Sequence, residues 1–165
     1  MSSIRPHMAC PKGVKKQPRE KQYALKNEVQ ADKREKTLWK WFSQFVRLRD
    51  CYTGELGRGR CVSCGIELHY KEGDAGHYVR SRHKAVKFDE HNVHLQCVHC
   101  NQHLNGNEAE HRVAMVNMYG EEEVQRIECQ KGVIVKRPLY EVEAMLAEYK
   151  QKAKDEAFRV GVPIR

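Results

Sequence analysis

The sequence predicts a small α+β protein with a zinc-stabilised centre between flanking helices. Three observations lead to this prediction: two C-x-x-C pairs in the middle of the chain, short strand-like segments near 66–70, 76–79 and 93–95, and amphipathic helical patterns on both sides. The chain has 165 residues, which suffice for one compact domain with appendages and are too few for two full cores.

The composition argues against a membrane protein and favours a polyanionic partner. Lys and Arg number 30 against 22 Asp and Glu, the formal net charge is +8, and the mean hydropathy is −0.79. No apolar run approaches the roughly 20 residues that cross a bilayer, and the first residues lack the apolar stretch of a secretory signal. We expect a cytoplasmic protein whose simplest polyanionic partner is nucleic acid, although basic surfaces also occur without such a partner.

Residues 1–36 form a strongly basic segment, with ten Lys and Arg against four acids. Three prolines and a glycine in its first half argue against regular structure, whereas the second half can become helical and continue into the next element. We interpret the segment as a flexible arm that neutralises phosphates. A solvated tail that binds nothing specific is the alternative, and composition does not separate the two.

Residues 37–60 are predicted to form an amphipathic helix over 37–49 and then a glycine-marked loop. The apolar residues that recur at helical spacing are Leu38, Trp41, Phe42, Phe45 and Val46. This spacing assigns the aromatic side chains to a core, and base stacking by Trp39 or Trp41 is the alternative.

Residues 108–165 are predicted to be mainly helical. Apolar spacing with Gly120 as a stop indicates a helix over 107–118, and three leading acids favour another over 121–129. A last helix opens at Arg137 and Pro138, and apolar residues recur along it at helical spacing.

Four cysteines at metal-ligand spacing define the central region, 61–107. They form two C-x-x-C pairs separated by 32 residues, namely Cys61 with Cys64 and Cys97 with Cys100. Four thiolates close a structural zinc site, so catalysis would need other residues. Metal ligation explains the pairs better than disulfides in a reducing compartment, and a redox C-x-x-C would explain one pair but not two.

Polar residues near the cysteine pairs suggest metal-assisted hydrolysis. Asp74 and His77 lie at the start of a predicted strand, and Asn101 and Asn105 would share one face of a helix starting near Cys100. Asp and Asn oxygens suit Mg²⁺ or Mn²⁺, and an imidazole can take a proton from water. These residues therefore make phosphodiester hydrolysis chemically plausible.

The order of these residues resembles that of the HNH, or ββα-metal, nucleases, and especially their zinc-bearing type, which includes phage endonuclease VII. There a C-x-x-C pair, an Asp with a His, and a second C-x-x-C followed at once by Asn occur in succession. The chain is most similar to the phage NinG/Rap recombination nuclease family, through CVSCG, DAGHY, FDEHNVHLQCVHCNQHLNGN and EAMLAEYKQK. This similarity extends over 38–155.

The resemblance implies a ββα-metal core at 61–107 and a structure-specific endonuclease that cuts branched recombination intermediates such as Holliday junctions and D-loops. It implies that His77 is the general base and that Asn101 is a ligand of a catalytic Mg²⁺ or Mn²⁺ ion. Asn92 matches the middle Asn of the HNH motif, whose side chain braces the loop that bears the base.

One position departs from the generic motif, which has its metal-binding Asp or His directly before the base. This chain has Gly76 there, and Asp74 lies two residues further back. Either a bulge brings Asp74 to the ion, or Asn105 and waters take that place. Because Gly106 follows Asn105, this asparagine can also simply end a short helical turn.

A basic loop follows the strand that carries the predicted base. Its cationic residues are Arg80, Arg82, Lys84 and Lys87, which suit phosphate contacts near the scissile bond, with a solvated loop as the alternative. Resolving a symmetric four-way junction takes two cuts, so we expect a homodimer through the amphipathic helices outside the core.

The resemblance further implies a phage or prophage origin and action in the cytoplasm of a bacterial host. A function from another class is a zinc-dependent DNA-binding or architectural module without catalysis. Such a module would need the four cysteines and the basic arm but would not depend on His77.

Overall fold

The computed structural model describes residues 19–163, in which four α-helices flank four short strands. The elements are α1 (Arg19–Arg49), β1 (Arg58–Arg60), β2 (Glu67–His69), β3 (Gly73–His77), β4 (Val93–Cys97), α2 (Glu108–Tyr119), α3 (Glu121–Cys129) and α4 (Leu139–Val160). A 3₁₀ turn, Lys84–Val86, precedes β4, and a π-helical turn, His99–His103, follows it. The predicted α+β class is confirmed.

Helix α1 is much longer than the helix predicted over 37–49, because it already includes Arg19. Residues 19–36 contain no glycine or proline and many good helix formers, so nothing in the sequence interrupts the helix there. Ala31 and Glu35 are buried against neighbouring elements. This half of the expected arm is therefore helical, and residues 1–18 lie outside the described residues.

The main core lies between α1 and α4, which pack along each other. The predicted stripe of α1 is buried there at Leu38, Phe42, Phe45 and Val46, and Trp41 is partly buried. Its partners on α4 are Val142, Tyr149 and Ala153. Phe42 and Tyr149 make an edge-to-face pair with ring centroids 4.8 Å apart.

The strands form two antiparallel hairpins, β1 with β2 and β3 with β4. In the second hairpin the pairing runs without interruption from Gly73 opposite Cys97 to His77 opposite Val93. Successive side chains of β3 therefore leave on opposite faces. The face that carries Ala75 and His77 packs towards α1.

The strand predicted over 76–79 lies instead at Gly73–His77, and β1 was not predicted. Strand β3 ends at His77 because the backbone N–H and carbonyl of Val79 bond to the side chain of Asn92 rather than to another strand. The ends of a strand depend on such distant partners, which hydrophobic patterning does not show.

The three C-terminal helices are close to their predicted bounds. Helices α2 and α3 cover a separate small core with Tyr78, Val79 and Val86, to which they contribute Met115, Val124 and Ile127. Arg159 of α4 donates from Nη2 to the carbonyl oxygens of Leu48, Arg49 and Cys51, which caps the C-terminus of α1. None of the helices described here is both long and apolar enough to cross a membrane.

Candidate active site

The four cysteines of the two C-x-x-C pairs come together in one cluster. The Sγ atoms of Cys61, Cys64, Cys97 and Cys100 all lie within 4.8 Å of one another, and those of Cys64 and Cys97 are 3.8 Å apart. Four sulfurs around one tetrahedral zinc ion, each at about 2.3 Å, are separated by about 3.8 Å. The cluster is therefore compatible with the predicted structural zinc.

Backbone hydrogen bonds hold the two pairs against each other. Val62 donates its N–H to the Leu95 carbonyl at 2.9 Å, which joins the first pair to β4. Gly65 closes the first turn by donating to the Cys61 carbonyl at 2.9 Å, and its φ of 72° is one that favours glycine. The end of the β3–β4 hairpin is thus fixed next to the cysteine cluster.

Asp74 and Asn101 lie in direct contact although 27 residues separate them. Asn101 donates from Nδ2 to Asp74 Oδ2 at 2.8 Å, and Gln102 donates from Nε2 to the same oxygen at 2.8 Å. A carboxylate and an amide oxygen form a donor set that suits Mg²⁺ or Mn²⁺, so these two residues fit the expected divalent ion. Rotation of the Asn101 amide would present its Oδ1 to such an ion.

No bulge is needed to bring Asp74 to this place, because the pairing of β3 with β4 is continuous. Asp74 lies on the same face of the strand as Gly76, since the two are two residues apart. The side chain of Asp74 therefore leaves β3 on the same face as a side chain at position 76, directly before the predicted base, would do. The absence of a side chain at Gly76 is therefore compatible with a site at this end of the hairpin.

Asn105 does not share a helix face with Asn101, contrary to the prediction. The helix expected from Cys100 is the five-residue π-helical turn His99–His103. Asn105 follows this turn with a left-handed φ of 51° and an exposed side chain, and Gly106 has a φ of 96°. Asn105 therefore lies at the end of the turn, in agreement with the second interpretation given above for this residue.

A hydrogen bond and a stacking contact both hold the imidazole ring of His77 in place. Its Nε2 lies 2.9 Å from the Lys87 carbonyl oxygen, and its ring stacks on Trp39 with centroids 4.9 Å apart. A carbonyl only accepts, so Nε2 carries the proton and Nδ1 presents a lone pair. Burial lowers the pKa of His77 below its ordinary value of 6.5, and the Lys87 charge acts in the same direction.

Asn92 joins the two ends of the loop that follows β3. Its Oδ1 accepts from the Val79 N–H at 2.7 Å, while its Nδ2 donates to the carbonyl oxygens of Val79 and Val86 at 2.9 Å each. Asn92 is fully buried, so all three bonds are shielded from water. The loop leads directly to Lys87, whose carbonyl holds the imidazole of His77.

The cations of the predicted basic loop differ in their exposure and in their partners. Arg80 and Arg82 are exposed, and Lys84 is exposed with its Nζ 3.9 Å from Asp32. Lys87 is different, because its Nζ donates to Glu35 Oε2 at 3.0 Å and both side chains are largely buried. Arg80 and Arg82 are thus exposed, as the predicted phosphate contacts require, whereas Lys87 lies in an internal ion pair.

Sequence reasoning missed two contacts of this site. Trp39 was assigned to a core, and its stacking on His77 could not be foreseen because the two residues belong to distant segments. Gln102 was not singled out, although it directly follows Asn101 and donates to the same carboxylate. Its position beside a predicted ligand was the one available signal.

Comparison with known proteins places this chain among phage proteins. The family model described as "NinG: Bacteriophage Lambda NinG protein" matches residues 8–157. Protein ninG of Escherichia phage 933W is 38% identical over 120 residues, that of Escherichia phage lambda 37% over 117 residues, and that of Salmonella phage P22 38% over 120 residues.

Each of these alignments covers 70% of this chain and 56% or 57% of the relative. The chain thus spans a little over half the length of the curated relatives that it matches. No solved structure gives a significant match.

Proposed function

This chain belongs to the NinG family, and on that premise we propose that it is a divalent-metal-dependent endodeoxyribonuclease that cuts branched DNA. The observation that carries the proposal is the 2.8 Å contact between Asn101 and Asp74. Asp74 lies on β3, the strand that also bears His77. Hard oxygen donors and an imidazole with a free lone pair are the groups that phosphodiester hydrolysis requires.

In the proposed reaction, Nδ1 of His77 takes the proton from the attacking water. The bond from Nε2 to the Lys87 carbonyl selects this tautomer, and stacking on Trp39 restricts rotation of the ring. Burial keeps the imidazole neutral at pH 7, the form in which it can accept a proton.

Asp74 and Asn101 would hold the divalent cation through their side-chain oxygens. When bound, Mg²⁺ or Mn²⁺ supplies positive charge that stabilises the negative charge developing on the phosphate and the leaving oxygen. Gln102 orients the carboxylate of Asp74 through its own hydrogen bond. Asp74 and His77 are three residues apart and leave β3 on opposite faces, so the reacting phosphate would have to reach both side chains.

The zinc-compatible cysteine cluster has a structural role in this proposal. Cys100 directly precedes Asn101, and Cys97 ends the strand that pairs with Asp74. A zinc ion bound by the four thiolates would fix the π-helical turn against the hairpin. It would therefore hold the two cation ligands in the geometry that the structure has.

The substrate class follows from the family resemblance and from the charge of the chain. Exposed Arg80 and Arg82 lie on the loop that follows the proposed base, where they can contact phosphates beside the reacting bond. Two cuts in a symmetric junction require two active sites, so the proposal includes a homodimer. Its setting would be a bacterial cytoplasm during phage recombination, since the named relatives come from phages.

The proposal is tested by nicking of an end-labelled four-way junction with Mg²⁺ or Mn²⁺, with EDTA as the control. We expect His77→Ala to lose about 10²–10⁴-fold in rate, as is typical for removal of a general base. The matched control is His69→Ala, since His69 lies in the other hairpin and should be dispensable for nicking.

The metal ligands give a second, independent arm of this experiment. We expect Asn101→Ala to behave as a metal defect, whose nicking is partly restored by more Mg²⁺ or by Mn²⁺. A zinc-loaded protein that binds the junction but never nicks it would contradict the proposal and favour the non-catalytic DNA-binding module. Nicking by His77→Ala at the wild-type rate would contradict the assigned base.

A further inference from the structure

We propose that Gln96 supplies a third oxygen ligand to the divalent cation of Asp74 and Asn101. This inference rests on the proposed function and concerns the same cation. Gln96 would provide, from β4, the ligand that β3 lacks because the residue before the base is Gly76.

The orientation of the Gln96 amide is fixed by its partners. Gln96 is fully buried, and its Nε2 donates to the Gly106 carbonyl oxygen at 2.6 Å and to Ser63 Oγ at 2.7 Å. A backbone carbonyl accepts only, so the nitrogen of the amide must face Gly106 and the oxygen must face away. The assignment of the two amide atoms is therefore not arbitrary.

The oxygen of the same amide is buried but unpaired within the described part of the chain. Gln96 Oε1 makes no hydrogen bond to any of the residues that the structure describes. A buried carbonyl oxygen without a partner is destabilising, so native proteins satisfy nearly all of them. A structural tether to Gly106 and Ser63 would need only the nitrogen and leaves the oxygen unexplained.

The space next to Gly76 is where this oxygen lies. A Cβ atom built on Gly76 would overlap Gln96 Oε1 and would lie 3.0 Å from Gln96 Cβ. In this chain the amide oxygen of Gln96 therefore fills the space where any side chain at position 76 would begin.

The strand register places Gln96 beside the other oxygen donors. Asp74 is directly opposite Gln96 in the β3–β4 pairing, so their side chains share one face and their Cβ atoms are about 4.5–5.5 Å apart. Asn101 contacts Asp74 from the π-helical turn. One carboxylate and two neutral amide oxygens would thus surround a common point, and this set suits Mg²⁺ or Mn²⁺.

The test measures binding of Mn²⁺ to the zinc-loaded chain, by electron paramagnetic resonance of the free ion, together with junction nicking. We expect Gln96→Leu to weaken Mn²⁺ binding by about 10- to 100-fold, the usual effect of removing a group that tunes a metal site. The matched control is Ser63→Ala, which removes a partner of Gln96 Nε2 and leaves Oε1 in place, so its Mn²⁺ affinity should equal that of the wild type.

A double variant distinguishes cation binding by Gln96 Oε1 from the structural hydrogen bonds of Gln96 Nε2. It also provides a test if Gln96→Leu does not fold. In Gly76→Asp with Gln96→Gly, a carboxylate enters at the generic position and the side chain that would obstruct it is removed, while the tether to Gly106 is lost. We expect this double variant to bind Mn²⁺ at least tenfold more tightly than Gln96→Gly alone, at about one bound zinc per chain.

The inference would be overturned if folded, zinc-loaded Gln96→Leu bound Mn²⁺ with wild-type affinity. It would also be overturned if the double variant Gly76→Asp with Gln96→Gly bound Mn²⁺ no more tightly than Gln96→Gly alone. Asp74→Ala distinguishes this failure from failure of the proposed function. If Asp74→Ala binds Mn²⁺ as the wild type does, the cation site itself is wrong. If Asp74→Ala loses binding and Gln96→Leu does not, only the role of Gln96 is wrong.

Discussion

The Nε2 atom of His77 lies 2.9 Å from the carbonyl oxygen of Lys87, so the backbone of one loop fixes the proton on the imidazole of the neighbouring strand. The free Nδ1 is then the nitrogen that can act as a base. The loop is in turn held by Asn92, which bonds to Val79 and Val86 on either side of its exposed arginines. These hydrogen bonds thus link the proposed base to the loop that carries the arginines proposed to contact phosphate.

The pH dependence of nicking should reflect the buried position of His77. Burial lowers the pKa of this imidazole below 6.5, and a base acts in its neutral form, so on acidification kcat/KM should fall to half its plateau only below pH 6.5. The measurement is kcat/KM for a labelled junction across this range, with zinc content followed in parallel. A rate that already declines between pH 8 and 7 as the pH is lowered would contradict a base with a lowered pKa.

Replacing Asn92 by Ala should release the loop after β3. The change leaves the Val79 N–H and the carbonyls of Val79 and Val86 without their partner. We expect a loss of roughly 3 kcal/mol in the free energy of unfolding, since each buried unsatisfied group costs about 1–3 kcal/mol and some become hydrated. Urea denaturation measures this, and hydrogen exchange should show faster exchange at Val79.

The matched control is Asn117→Ala, because Asn117 lies exposed on α2. Its stability should change by less than about 0.5 kcal/mol, as is usual for surface substitutions. Equal stability of Asn92→Ala and Asn117→Ala would show that the three hydrogen bonds of Asn92 do not hold the loop.

The cations of the basic loop should differ in their effect on DNA binding. The double variant Arg80→Ala with Arg82→Ala should flatten the dependence of junction affinity on salt, with a change in log–log slope of about 0.9 for each phosphate contact that is lost. Lys87→Ala should leave this slope unchanged, because its Nζ is already bonded to Glu35. Fluorescence anisotropy at several salt concentrations measures the slopes.

Lys87→Ala should instead lower stability, because Glu35 is only 7% exposed and would lose its partner. A double variant, Lys87→Met with Glu35→Gln, should recover part of that loss, since no buried charge then lacks a partner. A flattened salt slope for Lys87→Ala together with unchanged stability would mean that this lysine contacts DNA after all.

Removal of one cysteine of the cluster should abolish zinc binding and unfold the centre of the protein. We expect about one zinc per chain in the wild type and none in Cys97→Ser, because the binding free energy of a structural zinc site is also folding free energy. Elemental analysis and circular dichroism measure both properties. Cys129→Ser is the control, since Cys129 is exposed and lies outside the cluster.

Two results would count against the zinc site. Wild-type protein purified without chelators that contains no zinc would remove the basis of the prediction. A Cys97→Ser protein with unchanged thermal stability would show that the four thiolates do not hold the hairpin and the π-helical turn together.

Features that depend on short-range spacing can be predicted from the amino-acid sequence. The apolar stripe of α1 and the bounds of α2 and α3 follow from helical periodicity, which acts over three or four residues. The C-x-x-C pairs identify the four thiols of the cluster for a similar reason, since the geometry of each pair is local. Likewise, the order of Asp74, His77 and Asn101 along the chain suggests a nuclease site through its resemblance to a known motif.

Which side chains meet depends on the packing of distant segments. Asp74 rather than Asn105 contacts Asn101, because the β3–β4 register and a π-helical turn set their positions. Lys87 binds Glu35, 52 residues away in sequence, because α1 is long enough to pass beside the basic loop. Such contacts depend on how distant segments pack together, and local spacing carries no information about that packing.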